Sequence, residues 1–113
     1  MQPNVPQGYL PEEEDGPTLV HALPEVHYPK RLNLAEELVD RNVEAGRGNE
    51  VAIYFEDEQI TYGELAERVN ALGNALVDRG VEPGDRVMVR FPNRPEAVVS
   101  ILAIQKVGGV ALP

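Results

Sequence analysis

Residues 81–91 read VEPGDRVMVRF, a turn followed by an alternating apolar segment. Pro83 and Gly84 suit turn positions, and the alternation that follows predicts a strand over residues 86–91. A helix is then predicted from Asn93, Pro95 and Glu96 to the pair Gly108-Gly109, and residues 110–112 begin another strand. A strand, a helix and a strand of these lengths are typical of the crossover unit of a parallel sheet, so the predicted fold class is α/β.

Upstream of this unit, the pattern predicts two helices separated by a small hairpin. The first helix begins at Asn33 as N-cap, with Glu36 as its capping-box partner, and ends at Gly46. Its apolar face is predicted to be Leu34, Leu38 and Val39. The hairpin joins residues 51–55 to 59–61 through a polar turn at 56–58. The second helix, residues 62–79, has a Thr61–Glu64 capping box, ends at Gly80, and buries Leu65, Val69, Leu72 and Leu76.

Residues 1–30 have a different composition from the rest. They hold six of the ten prolines and the acidic run Glu12-Glu13-Glu14-Asp15. Proline removes a backbone donor and biases the preceding residue toward extended geometry, so regular structure is not expected there. We predict a proline-rich acidic arm over residues 1–30 and a folded segment over 31–113.

The composition narrows the class of protein. With 10 Lys plus Arg against 19 Asp plus Glu, the formal net charge is −9. Nucleic acids and anionic membranes are bound mainly through basic residues, so neither is an expected partner. The chain has no Cys and no run approaching the ~20 apolar residues that span a bilayer, and we expect a cytoplasmic location, with the acidity indicating a salty, halophilic cytoplasm.

Candidate catalytic side chains are few. His21 and His27, the only imidazoles, lie in the arm without Cys or clustered carboxylates at metal-ligand spacing, so solvated loop histidines are favoured. Carboxylate pairs could be formed by Glu36 with Glu37 or by Glu64 with Glu67, but helix capping already explains Glu36 and Glu64. Ser100, the only serine, lies within a predicted apolar helix. We predict no catalytic and no metal-binding residue.

The glycines do not form a phosphate-binding loop. Such loops place glycines between a strand and a helix N-terminus, where backbone N–H groups converge. Gly80, Gly84, Gly108 and Gly109 instead fall between a helix C-terminus and the next strand. Arg94, in the loop at the carboxyl end of the predicted strand, could contact an anion, but a solvated arginine is favoured there. No cofactor-binding residue is predicted.

Several motifs, in this order, resemble one family. They are ITYGEL at 60–65, GVEPGDRV at 80–87, PNRPE at 92–96, KVGGV at 106–110 and LP at 112–113. Together they resemble the N-terminal region of the adenylate-forming acyl-CoA synthetases, with Val107 and Gly109 where that family usually has Ala. RLNLA at 31–35 and EAGRG at 44–48 look like the benzoate and aminobenzoate CoA ligase branch.

The resemblance implies the N-terminal part of a large adenylate-forming ligase domain, with a βαβ crossover and a small hairpin, incomplete as a domain. The complete enzyme would use ATP, CoA and Mg²⁺ to activate a small carboxylic acid as an acyl-adenylate, and the rest of the ligase domain would be the partner of this segment. The family's phosphate loop, ribose-binding Asp and catalytic Lys have no matching positions here. The chain is thus expected to be inactive scaffold and only marginally folded alone. The alternative is a self-contained α/β interaction module whose rim at Asn93 and Arg94 recognises a partner.

Overall fold

The computed structural model describes Asp15, Gly16, Thr18, Val20 and residues 22–113. The chain divides into two compact units, Met1–Leu32 and Asn33–Pro113. In the first unit, Pro24–Val26 forms a short 3-10 helix, although no regular structure was expected there. Pro24 begins this turn, where a missing N–H costs nothing because that donor has no helical partner.

The first helical segment of the second unit forms as predicted, with α-helical geometry at residues 34–35 and 41–42 and π-helical geometry over Glu36–Asp40 and Val43–Arg47. The Arg41 N–H, for example, donates to the carbonyl of Glu36, five residues earlier. Asn33 caps the segment as predicted, because its Oδ1 accepts from the N–H groups of Ala35 and Glu36. The Glu36 side chain, however, makes no return bond, so the predicted capping box at this helix is wrong.

The buried face of this segment also differs from the prediction. Val39 is buried as predicted, and so is Ala35, whereas Leu34 and Leu38 are 44% and 51% exposed. The reason lies in long-range contacts: Asn33 Nδ2 donates to the Lys106 carbonyl and Lys106 Nζ donates to Asp40. These bonds fix which side of the segment faces the core, and the local pattern carries no information about them.

The hairpin forms as predicted. Strand β1, Val51–Phe55, pairs antiparallel with β2, Glu58–Thr61, which begins one residue earlier than expected. A register shift between Val51 and Ile53 marks a bulge. Glu56 adopts a positive φ of 52° and closes the turn.

Helix α1, Tyr62–Asp78, follows directly. Its capping box is confirmed, because Thr61 Oγ1 accepts from the Glu64 N–H while the Glu64 carboxylate accepts from the Thr61 N–H. Leu65 and Val69 are buried, and Leu72 and Leu76 are packed against the core at its edge. At its C-terminus, the Gly80 and Val81 N–H groups donate back to the last turn, in the Schellman arrangement.

The crossover unit is confirmed. Strand β3, Arg86–Met88, pairs parallel with β4, Val110–Leu112, and helix α2, Pro95–Lys106, connects them. β3 is shorter than the predicted 86–91. The Val89 N–H still donates to the Leu112 carbonyl at 2.7 Å, and Arg90 and Phe91 follow as exposed residues.

The core lies between the first helical segment, β2, α1 and α2. Its buried residues are Ala35, Val39, Ile60, Leu65, Val69, Val99, Leu102 and Ala103. Within α2, Val99, Leu102 and Ile104 are buried while Val98 is 39% exposed. An apolar surface this wide cannot be covered by one packing face, since a single helical stripe spans little more than a quarter of the circumference.

Candidate functional site

The loop at the carboxyl end of β3 contains the arginine that the sequence analysis identifies as a candidate for binding an anion. Arg94 lies at the N-cap position of α2, with its guanidinium 5.7 Å from the centre of the Phe55 ring. Its Nε lies 3.4 Å from Glu96 Oε2, and both side chains are more than half exposed. Arg94 is thus paired locally with a carboxylate and an aromatic face, which fits the solvated-arginine interpretation.

The four glycines lie where the sequence places them, and their N–H groups are already used. Gly80 donates to the carbonyl of Val77, and Gly84 to that of Gly108 at 2.8 Å. Gly108 and Gly109 donate to the carbonyls of Gln105 and Ile104, which completes a second Schellman motif after α2. A phosphate-binding loop needs N–H groups that point outward without a partner. These glycines therefore serve chain reversal.

Two of them also allow a close backbone approach. A Cβ on Gly108 would lie 3.1 Å from the Cβ of Pro83. A Cβ on Gly109 would lie 2.9 Å from Ile104 Cγ2, 3.1 Å from the Ile104 carbonyl oxygen and 3.3 Å from the Asp85 carbonyl oxygen. The KVGGV motif thus positions the turn before β3 against the end of α2, a structural role that the sequence pattern did not reveal.

The other nominated side chains are not brought together. His27 is exposed in the first unit, and His21 lies outside the described residues. Ser100 lies partly buried within α2. In the part of the chain that the structure describes, no three His, Cys, Asp or Glu side chains are grouped so that they could hold a metal ion. The described helices also include none with the length and apolar character needed to cross a membrane.

Two of the four candidate carboxylates, Glu64 and Glu37, have structural partners. The Thr61 backbone N–H and the Thr61 hydroxyl both donate to the Glu64 carboxylate. These bonds, the backbone bond most of all, hold the pKa of Glu64 below its ordinary value. Glu37 pairs with Arg41 at 2.8 Å, one helical turn later. The predicted capping role of Glu64 is confirmed, and neither Glu36 nor Glu67 forms an ion pair or hydrogen bond within the described residues.

A cleft that the sequence analysis missed lies between the first helical segment and α1. It has a volume of about 480 Å³ and is lined by four carboxylates together with Arg41, Val43, Ala66 and Asn70. Two of those carboxylates are neutralised by cations, Glu37 by Arg41 and Asp40 by Lys106. Successive acidic residues of this set are one to four positions apart along the chain. They line a cleft only because the segment packs on α1.

The fold defines a class of structure: an α/β crossover segment preceded by a hairpin. The model of the AMP-binding enzyme family matches residues 39–113, and the chain belongs to that family. Acetyl-coenzyme A synthetase of Streptomyces avermitilis is 51% identical over 83 residues, which are 69% of this chain and 13% of that protein.

Solved structures agree. The N-terminal subdomain of Klebsiella oxytoca NpsA superposes with a TM-score of 0.65 at 32% identity, over 73% of this chain and 21% of that one. The anthranilate CoA ligase AuaEII, in complex with anthranoyl-AMP, gives a TM-score of 0.68 at 31% identity, over 74% of this chain and 16% of that one. The predicted family and fold class are confirmed: the chain has the fold of the N-terminal part of an adenylation domain. It spans 13% of the length of the acetyl-coenzyme A synthetase.

Proposed function

We propose that this chain is the N-terminal scaffold of an ATP-dependent acid:CoA ligase. The observation that carries the proposal is the family match over residues 39–113, with 51% identity to an acetyl-coenzyme A synthetase. In such a ligase, a carboxylate oxygen attacks the α-phosphate of ATP and pyrophosphate leaves. The CoA thiol then attacks the acyl carbon, and AMP leaves with the electron pair of the broken acyl–oxygen bond.

The acid that we propose is acetate. Two relatives, from Streptomyces avermitilis and Streptomyces coelicolor, are acetyl-coenzyme A synthetases, at 51% and 44% identity. An aromatic acid of the benzoate or aminobenzoate type is the second candidate, supported by the likeness to the anthranilate CoA ligase at 31% identity. The higher identity favours acetate.

The role that we propose for residues 31–113 is structural, with no catalytic, cofactor-binding or metal-binding residue among them. ATP carries a triphosphate that needs unpartnered N–H groups or cations, and Mg²⁺ needs carboxylates grouped around one point. Gly80, Gly84, Gly108 and Gly109 donate to backbone carbonyls, and Arg94 pairs with Glu96. These residues offer no unpartnered N–H group and no free cation for a triphosphate, and we propose that other parts of the ligase domain bind ATP, CoA and Mg²⁺.

The same proposal gives the segment its surroundings. The segment packs against the rest of the ligase domain, and the complete ligase works in the cytoplasm. It binds neither nucleic acid nor a membrane. The net charge of −9 supports a surface adapted to high salt. Stability of the complete ligase that holds or rises as KCl increases into the molar range would agree with this, and stability that falls would contradict it.

A chimera tests the function. Residues 31–113 replace the matching segment of the Streptomyces avermitilis synthetase, and acetate-dependent exchange between ATP and pyrophosphate is measured. We expect the chimera to fold and to exchange at a rate within about tenfold of the parent, since only supporting residues change. A folded chimera without exchange for acetate or for 2-aminobenzoate would instead favour a self-contained interaction module with its rim at Asn93 and Arg94.

A further inference from the structure

One side of the β3–β4 pair exposes apolar side chains. Val89 is buried, and because side chains alternate along a strand, Met88 lies on the opposite side of the sheet. Leu112 is paired with Met88 in the parallel register and therefore shares that side. Met88 is 76% exposed and Leu112 is 40% exposed. The apolar centre of this side thus stands open.

Two arginines flank the apolar centre. Arg86 is paired with Val110 in the same register, and Arg90 follows Met88 by two positions, so both arginines belong to the side that carries Met88. Both are exposed, and within the described residues neither side chain forms an ion pair or a hydrogen bond. We call the set of Arg86, Met88, Arg90, Val110 and Leu112 the outer face. It is a positive region in a chain whose formal net charge is −9.

Parallel strands are normally covered on both of their faces. Crossover connections place helices against a parallel sheet, and such sheets occur almost only where helices cover both sides. Helix α2 is the crossover helix of this pair and supplies one layer. The pair has only two strands, too few for a sheet that is stable without further packing. The outer face therefore lacks the second helical layer that this architecture requires.

The lengths of the relatives indicate where that layer comes from. The chain spans 13% of the Streptomyces avermitilis synthetase and 16% of the anthranilate CoA ligase AuaEII, so most of each of those proteins lies outside the matched segment. A layer that covers Arg86 and Arg90 must also neutralise them, because a charge buried without a partner is strongly destabilising. The covering surface therefore needs apolar side chains opposite Met88 and Leu112, and carboxylates opposite the two arginines.

We propose that the outer face is the surface through which this segment packs on the rest of the ligase domain, against a helix whose apolar stripe is flanked by carboxylates. This inference rests on the proposed ligase function and adds to it the surface and the chemistry of the partner. Met88 and Leu112 pack against the apolar stripe, and Arg86 and Arg90 form ion pairs with the carboxylates beside it.

Oxidation by hydrogen peroxide tests the apolar part, since Met88 is the one methionine of residues 31–113. Conversion to the sulfoxide is followed by mass spectrometry in the 113-residue chain and in the chimera described above. Tyr54→Met is the matched control, because Tyr54 lies on β1 and is 73% exposed. We expect Met88 to oxidise about tenfold more slowly in the chimera than in the chain, and the control position to change by less than about twofold.

Removal of the arginine charges tests the charged part. The double variant Arg86→Gln/Arg90→Gln is compared with Arg79→Gln, which removes an exposed arginine that is likewise unpaired within the described residues and lies at the end of α1. We expect the double variant to lower the urea midpoint of the chimera and to leave that of the 113-residue chain unchanged. Arg79→Gln should change neither midpoint.

The exchange activity of the chimera separates this inference from the ligase function. Exchange with acetate, together with Met88 oxidised as fast as in the chain, would overturn the outer face alone. Protected Met88 in a folded chimera without exchange would support the surface while the ligase function fails. Protection of Met88 already in the 113-residue chain would indicate cover by residues 1–32 or, where it grows with chain concentration, by a second copy, and either would overturn the proposal.

Three other results would also overturn it. They are equal protection at the control position, an unchanged midpoint of the chimera with the double arginine variant, and a chimera that does not fold, since the outer face would then find no complementary layer in its relative.

Discussion

Replacing Gly109 by alanine should destabilise the second unit far more than the same replacement at Gly80. At Gly109, the new Cβ would lie 2.9 Å from Ile104 Cγ2 and within 3.3 Å of two carbonyl oxygens. Ile104 is 2% exposed, so its side chain has no space into which it can move. The backbone must shift instead, which strains the 2.7 Å bond from the Val110 N–H to the Asp85 carbonyl and thereby the start of the β3–β4 pairing.

The magnitude follows from these contacts. Overpacking of a close-packed site costs about 1–3 kcal/mol, and a weakened backbone hydrogen bond adds about 1 kcal/mol, so Gly109→Ala should cost about 2–4 kcal/mol. Gly80 has a φ of +87° and open space around a Cβ. Gly80→Ala therefore costs only about 1–2 kcal/mol of backbone strain in the folded chain. The lower conformational entropy of the unfolded chain offsets about 0.4–1 kcal/mol of this cost.

Urea unfolding followed by circular dichroism compares the two variants. With a slope of about 1 kcal/mol per molar urea, Gly109→Ala should lower the midpoint by about 2–4 M, or leave the chain unfolded in buffer, and Gly80→Ala by about 1 M. A Gly109→Ala midpoint equal to or above that of Gly80→Ala would refute the close-approach reasoning.

Three further outcomes are expected. The pKa of Glu64 in the folded chain lies below its ordinary value of 4.5, so the stabilisation that its carboxylate gives the fold is complete above pH 4.5 and is lost as the pH falls through the folded pKa. Glu64→Gln should therefore flatten the fall of the unfolding free energy below pH 4.5, and an unchanged pH profile would contradict this. The purified chain should show no exchange between ATP and pyrophosphate with acetate or benzoate-type acids, and detectable exchange would disprove the scaffold role. The chain should also unfold over a broad urea range and bind an apolar dye, because exposed Met88, Phe91, Val98 and Leu112 each forgo up to ~1.5–3 kcal/mol of burial; a sharp transition without dye binding would count against this.

The elements that the sequence predicts correctly are those decided by neighbouring residues. The Thr61–Glu64 box uses a hydroxyl and a carboxylate three positions apart, and the glycines after α1 and α2 relieve the strain of a positive φ within a few residues. For the same local reason, the sequence correctly indicates that Gly80 and Gly108 end helices.

The elements that it misses depend on residues far along the chain. The first helical segment buries Val39 as predicted, but it also buries Ala35 and leaves Leu34 and Leu38 about half exposed, because Lys106 fixes both Asn33 and Asp40. The cleft beside Asn70 likewise exists only because the first helical segment packs on α1. Periodicity describes one helix at a time and contains none of these contacts.

The most direct test of the central claim, that these residues support a ligase without taking part in its chemistry, is the acetate-dependent exchange rate of the chimera with Arg94→Ala. Arg94 is the residue that the sequence nominates for anion binding, and in the structure it pairs with Glu96 and lies over Phe55. We predict a rate within about twofold of the unsubstituted chimera, since an exposed ion pair contributes little. A loss of about a hundredfold or more in kcat from a folded chimera would place Arg94 in the catalytic machinery and contradict the account.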